Sequence, residues 1–161
     1  MEGRLKNMEG KMREPVLKTS KVLQIAFIVS DVQAAAEKYA RLFGIETPRV
    51  SMSDGYEKAQ TVFMGKPSPA RCKMAFIDLD NIQLEFIEPD ENDSDWKRSL
   101  EEKGDSLHHI AFEVKDMKKQ IESLEEVGAQ CIQKGEYPGG RYAFIDTADE
   151  YMVKFELLEN D

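Results

Sequence analysis

The sequence predicts an α+β fold in which two repeated βαβββ modules form a cup-shaped, partly open mixed β-sheet with the helices outside. Three observations lead there. QIAFIVSD at 24–31 returns as HIAFEVKD at 109–116, with five of eight letters alike. AFID at 75–78 returns at 143–146, and IQLEFIE at 82–88 is paralleled by VKFELLE at 153–159. After each copy of the first segment the apolar residues switch from alternation to helical spacing, so each copy opens a strand–helix unit.

Residues 22–29 (VLQIAFIV) alternate and are rich in β-formers, which reads as a strand. Ser30–Asp31 then supplies an N-cap. Val32, Ala35, Ala36, Tyr39, Leu42 and Phe43 recur at helical spacing, and Gly44 stands where a helix ends. The stretch 46–65 reads as an irregular or extended segment, and Gly65-Lys66-Pro67-Ser68-Pro69 as a loop. AFID and IQLEFIE close the first half as strands. Asp90-Glu91-Asn92-Asp93-Ser94 opens a connector, where Trp96 and Leu100 suggest a short helix ending at Gly104. The second half repeats the order. Residues 107–114 (LHHIAFEV) form a strand, Asp116 caps, Met117, Ile121 and Leu124 make one helical face, and Gly128 stops the helix. Pro138-Gly139-Gly140 is a turn. The modules run about 21–90 and 105–159 within a single domain, 21–161, preceded by a flexible or loosely docked lead-in, 1–20.

A chain of 161 residues suits one domain. The 22 Lys+Arg against 31 Asp+Glu leave a net charge of −9, which disfavours nucleic acid as a partner. No apolar run reaches the roughly 18 residues of a membrane span, and the N-terminus has no apolar signal region. Cys72 and Cys131 stand 59 residues apart with no CxxC spacing, and read as buried free thiols of a cytoplasmic protein.

Side chains alternate faces along a strand. Ile25, Phe27 and Val29 therefore share one face, as do Ile110, Phe112 and Val114 in the repeat, and these bulky faces should pack on the helices. The opposite faces, small at Ala26 and Ala111, would line the cup. The same alternation puts Glu85 and Glu156 opposite Leu84 and Phe86, and opposite Phe155 and Leu157. Four polar residues then fall at equivalent places facing the cup: Gln24 and His109, Glu85 and Glu156. One imidazole nitrogen and three oxygens suit a divalent ion such as Zn²⁺, Ni²⁺, Co²⁺ or Mn²⁺, with water or substrate completing the shell. His108, pointing the other way by parity, reads as a helix-face or structural histidine. HExxH motifs and glycine-rich phosphate loops are absent from the sequence.

The doubled pattern with its four ligand positions resembles the vicinal oxygen chelate superfamily, the glyoxalase/bleomycin-resistance fold, over about residues 21–159. Within it, EFIEPD…WKRSLEEKGDSLHHIAFEVKDM is similar to methylmalonyl-CoA epimerases. The resemblance implies one divalent metal on Gln24, Glu85, His109 and Glu156, with Glu156 also the proton-transferring carboxylate. It implies an epimerase that moves an α-proton of an acyl-CoA thioester through a metal-stabilised enolate, and a homodimer. Two departures stand out. Gln24 replaces the histidine usual in epimerases and resembles glyoxalase I of the eukaryotic type, a lactoylglutathione lyase acting on a glutathione adduct. DTADEYMVKFELLE lacks the glycine pair common before the last epimerase strand. A non-catalytic, antibiotic-sequestering protein of the same fold is the remaining alternative. Coenzyme A and glutathione are both anionic, so an anion-accepting patch is expected beside the cup, with Arg71, Lys97, Lys103 and Arg141 as candidates.

Overall fold

A computed structural model describes residues 14–161. Its elements in chain order are β1 (Val22–Ile28), α1 (Val32–Phe43), β2 (Ser51–Met52), α2 (Tyr56–Ala59), β3 (Val62–Phe63), β4 (Lys66–Pro67), β5 (Cys72–Asp78), β6 (Gln83–Pro89), α3 (Asp95–Lys103), β7 (Ser106–Glu113), α4 (Met117–Glu126), β8 (Cys131–Tyr137), β9 (Gly140–Ile145), α5 (Ala148–Tyr151) and β10 (Lys154–Asn160). They form one curled mixed sheet of ten strands in the order β2-β5-β6-β1-β7-β10-β9-β8-β3-β4.

The order reads as a duplication. The run β2-β5-β6-β1 mirrors β8-β9-β10-β7, and the halves meet where β1 runs antiparallel to β7. Each half keeps one parallel pair, β1 with β6 and β7 with β10. The two AFID segments lie on β5 and β9, each antiparallel to the strand that carries a glutamate.

Local chemistry starts and stops the helices as expected. Asp31 accepts from the Ala34 amide at 3.0 Å, and Gly44 ends α1 in the left-handed region at φ 66°. Asp116 accepts from Lys119, and Ser94 from Lys97. The helices cover the bulky strand faces. Val32 and Ala36 of α1 pack on Ile25, Phe27, Ile77 and Phe86, where Phe27 stacks on Phe86 at 5.8 Å. Met117 and Leu124 of α4 pack on Ala143, Ile145 and Leu157. Fully burying a side chain of this size stabilises by roughly 1.5–3 kcal/mol, so these two seams hold the sheet in its curl. The inner face carries Ala26, Ile28, Ala111, Phe144 and Leu158, with Trp96 of α3 against it.

The stretch read as irregular is more structured than its sequence suggests. It carries α2, and Lys66–Pro67 pairs with Val62–Phe63 instead of forming a plain loop. That hairpin then pairs with β8 of the other half. Two-residue strands leave no periodicity to read; the partner across the sheet creates them. Ahead of β1, Leu17 packs against the α4 cluster, and Gln120 bonds the backbone at Val16 and Lys18. Residues 1–13 of the expected lead-in lie outside the described residues.

The β8–β9 turn uses Gly139 at φ 94°. Beside it, a Cβ on Gly140 would run into the Glu159 carbonyl and the Tyr137 ring. Gly140→Ala should therefore lower stability by about 1–3 kcal/mol in urea unfolding, the usual overpacking cost. An unchanged midpoint would mean the edge yields freely.

Candidate metal centre

The four central strands each deliver one donor to the inside of the curl: Glu85 from β6, Gln24 from β1, His109 from β7 and Glu156 from β10. Register explains why they converge. Ala26 lies between Glu85 and His109, and Ala111 lies between Gln24 and Glu156. A methyl group at each of those two crossings leaves room that a larger side chain would fill. All four donors are buried, His109 completely.

The ligand atoms of Glu85, His109 and Glu156 all lie within 4.8 Å of one another. His109 Nε2 stands 2.9 Å from Glu156 Oε2 and 3.5 Å from Glu85 Oε2. It has no partner in hydrogen-bond geometry among the described residues. Burial opposes charge on this imidazole, but Glu156 and Glu85 beside it raise its pKa to about 9. Burial likewise pushes the Glu156 carboxyl above the ordinary range, while His109 pulls it back.

Gln24 completes the set through its amide orientation. Its Nε2 donates to Gln83 Oε1 at 2.6 Å, and Gln83 Nε2 donates to Asp78 Oδ1 at 2.8 Å. The Gln24 oxygen then lies 3.1 Å from Glu85 Oε2 and 3.2 Å from Glu156 Oε2. Turning the amide over would let it donate to both glutamates. That turn sets the Gln24 carbonyl against Gln83 Oε1, and relieving it by turning Gln83 sets a second carbonyl against Asp78. The chain from Asp78 inward favours oxygen toward the cup, and three oxygens facing one another without hydrogens between them suit a shared cation. The donor chemistry therefore fits a divalent metal, with Gln24, Glu85, His109 and Glu156 as the residues that would hold it.

His108 departs from the expected parity. Ala26 pairs with His109 but Phe27 pairs with Leu107, so His108 is the extra residue of a bulge. Both histidines are consequently buried together, with their Nδ1 atoms 2.8 Å apart. Nε2 of His108 meets Asp95 Oδ2 at 2.9 Å, and Lys154 Nζ grips both Asp95 oxygens at 2.6 and 2.7 Å. Burial lowers the His108 pKa to about 4 and keeps the ring neutral. Burial works against ionisation of Asp95, yet the His108 hydrogen bond and Lys154 hold its carboxyl below the usual range. Asp95, Lys154 and Gln83 escaped sequence reasoning. The signal was present for two of them, since Gln83 and Lys154 are equivalent in the IQLEFIE/VKFELLE alignment.

Gln24, Glu85 and Glu156 line a cavity of about 650 Å³ walled by Met74, Phe76, Trp96, Tyr142, Phe144 and Leu158. Its acidic lining is Asp54, Glu85, Glu136 and Glu156, with no Lys or Arg among the described residues. None of the expected cations lines the cavity, though one borders it. Arg71 bonds the carbonyl of Ser53, a lining residue, and so borders the rim. Arg141 is paired with Glu136, Glu159 and Asp161. Lys97 is held by Glu101 and the Glu91 carbonyl, and Lys103 lines a different groove. Cys72 and Cys131 are free, the first buried and the second only half-buried. No helix among the described residues is long and apolar enough to cross a membrane.

A family model for the glyoxalase/bleomycin resistance protein/dioxygenase superfamily matches residues 23–144, which include Gln24, Glu85 and His109. The chain is 34% identical over 94 residues to the uncharacterized protein YqjC of Bacillus subtilis, covering 55% of this chain and 66% of that one. It is 29% identical over 113 residues to an ethylmalonyl-CoA/methylmalonyl-CoA epimerase of Cereibacter sphaeroides, covering 70% and 74%. In fold it is similar to a Streptomyces coelicolor methylmalonyl-CoA epimerase solved with 2-nitronate-propionyl-CoA. The TM-score is 0.60 at 21% identity, with 89% of this chain and 96% of that chain covered.

Proposed function

The chain belongs to the glyoxalase/bleomycin resistance protein/dioxygenase superfamily, and on that footing we propose that it is a metal-dependent epimerase acting on the α-carbon of an acyl-CoA thioester. The observation that supports this best is the convergence of four donors, one from each central strand, at repeat-equivalent positions, three of them lining a largely apolar cavity. A divalent ion held there would act as a Lewis acid on a carbonyl oxygen and stabilise the charge left when a neighbouring proton departs. Glu156 takes that proton from one face of the carbon, a role worth roughly 10²–10⁴-fold for a positioned base, and the configuration inverts when the planar carbon receives a proton drawn from solvent on its other face. Glu85 and Gln24 hold the opposite side of the site, and Phe76, Trp96, Tyr142 and Phe144 give the cavity an aromatic wall.

The second reading, a glyoxalase I-type lactoylglutathione lyase, has its own support. Two glutamates already balance a dication, and the cavity lining adds acidic groups without a cation. A substrate whose reacting end is neutral, such as a glutathione hemithioacetal, fits that balance better than a malonyl carboxylate does. One experiment separates the readings. The purified protein is assayed for bound metal, then incubated in D₂O with methylmalonyl-CoA or with methylglyoxal plus glutathione. Deuterium at the methylmalonyl α-carbon is expected; thioester formation from the hemithioacetal alone would replace the epimerase with the lyase. Inertness toward both, with metal bound, would leave the non-catalytic binding protein.

A further inference from the structure

We propose that His108, backed by Asp95 and Lys154, is a positioning residue that sets which nitrogen His109 offers to the cup. The proposal rests on the metal-centre reading above and adds a layer to it. Two Nδ1 atoms 2.8 Å apart share a single hydrogen, so one ring must donate and the other accept. Asp95 decides which. Its carboxylate, gripped through both oxygens by Lys154, can only accept, so His108 carries its hydrogen on Nε2. His108 Nδ1 is then a bare lone pair and accepts from Nδ1–H of His109. Nε2 of His109 is then the nitrogen left facing Glu85 and Glu156, and its lone pair is open to a metal that displaces the proton there. A metal-binding histidine is commonly oriented through its second nitrogen, and loss of such a partner costs about 10–100-fold in affinity. Here the partner is a second histidine, reachable only because the bulge turns it inward. Gln83 and Asp78 do the equivalent work for Gln24 across the pseudo-two-fold.

The chain has two histidines, so a ¹⁵N-histidine NMR spectrum contains these two rings and no others. In the zinc-loaded full chain we expect hydrogen on Nδ1 of His109 and Nε2 of His108, with His109 Nε2 shifted by the metal. Asp95→Asn can present an N–H to His108, moving the His108 hydrogen to Nδ1 and the His109 hydrogen to Nε2. Zinc affinity should fall about 10–100-fold. Zinc bound through His109 Nδ1, hydrogen on His108 Nδ1 in the native chain, or unchanged affinity in a folded Asp95→Asn would each overturn the proposal while leaving the metal centre intact. If zinc shifts neither ring, the centre itself falls, and this inference with it. The native-chain spectrum decides the matter even if the variant does not fold.

Discussion

Glu156→Gln is expected to abolish α-proton exchange while the protein still takes up metal. The substitution keeps the length of the side chain and one oxygen donor but removes the only basic atom it can offer. Loss of a positioned base costs roughly 10²–10⁴-fold in rate, whereas the amide oxygen can still approach a cation as Gln24 does on the other side. Exchange into substrate from D₂O reads the first effect, and metal content by elemental analysis reads the second. Glu85→Gln is the control, because Glu85 occupies the repeat-equivalent place. In an epimerase whose base is Glu156, it should retain much more exchange. Normal exchange in metal-loaded Glu156→Gln would move the base elsewhere. Equal loss in both variants would point to two shuttling carboxylates and to the lyase.

His109→Ala should have the larger effect on the folded protein. The ring is fully enclosed and separates two buried carboxylates, at 2.9 Å from one and 3.5 Å from the other. Without it, Glu85 and Glu156 face each other with no cationic partner, and His108 loses its Nδ1 contact. Breaking a buried ion pair from one side costs about 3–5 kcal/mol, which urea unfolding of the metal-free chains would read directly. Metal affinity should fall more than the roughly 100-fold upper figure for loss of an orienting partner, because a ligand itself is gone. Near-native affinity in a folded His109→Ala would remove His109 from the ligand set.

Much of the architecture was legible because the gene carries its message twice. Strand parity placed Gln24, Glu85, His109 and Glu156 on one face, and register then shows all four flanking two alanines. Parity failed at His108 for a definite reason. A bulge inserts one residue, and every parity argument across it must be reset. Within 46–65 and the loop 65–69, α2 and the pairing of Lys66–Pro67 were not legible for another, since β3 and β4 draw their order from β8 in the distant half and not from their own residues. Of the cations expected beside the cup, Arg71 borders the rim, while Arg141 and Lys97 are taken by neighbouring acids, because a charged residue's sequence position says little about which acid will capture it. Arg141, held by three carboxylates, is the plainest example.

The sequence by itself determined the duplication, the helix caps, the bulky strand faces turned to the helices and the placing of four polar residues on the inner face, because each depends on local spacing or on the repeat. Only the tertiary structure decided which atom each donor presents. The amide of Gln24 and the ring of His109 can each face the cup in two ways. The choice is made by hydrogen-bond chains running outward to Asp78 and, through His108, to Asp95 and Lys154. Those partners come from other strands and from a helix, and a hydrogen bond between them exists only once the sheet has curled.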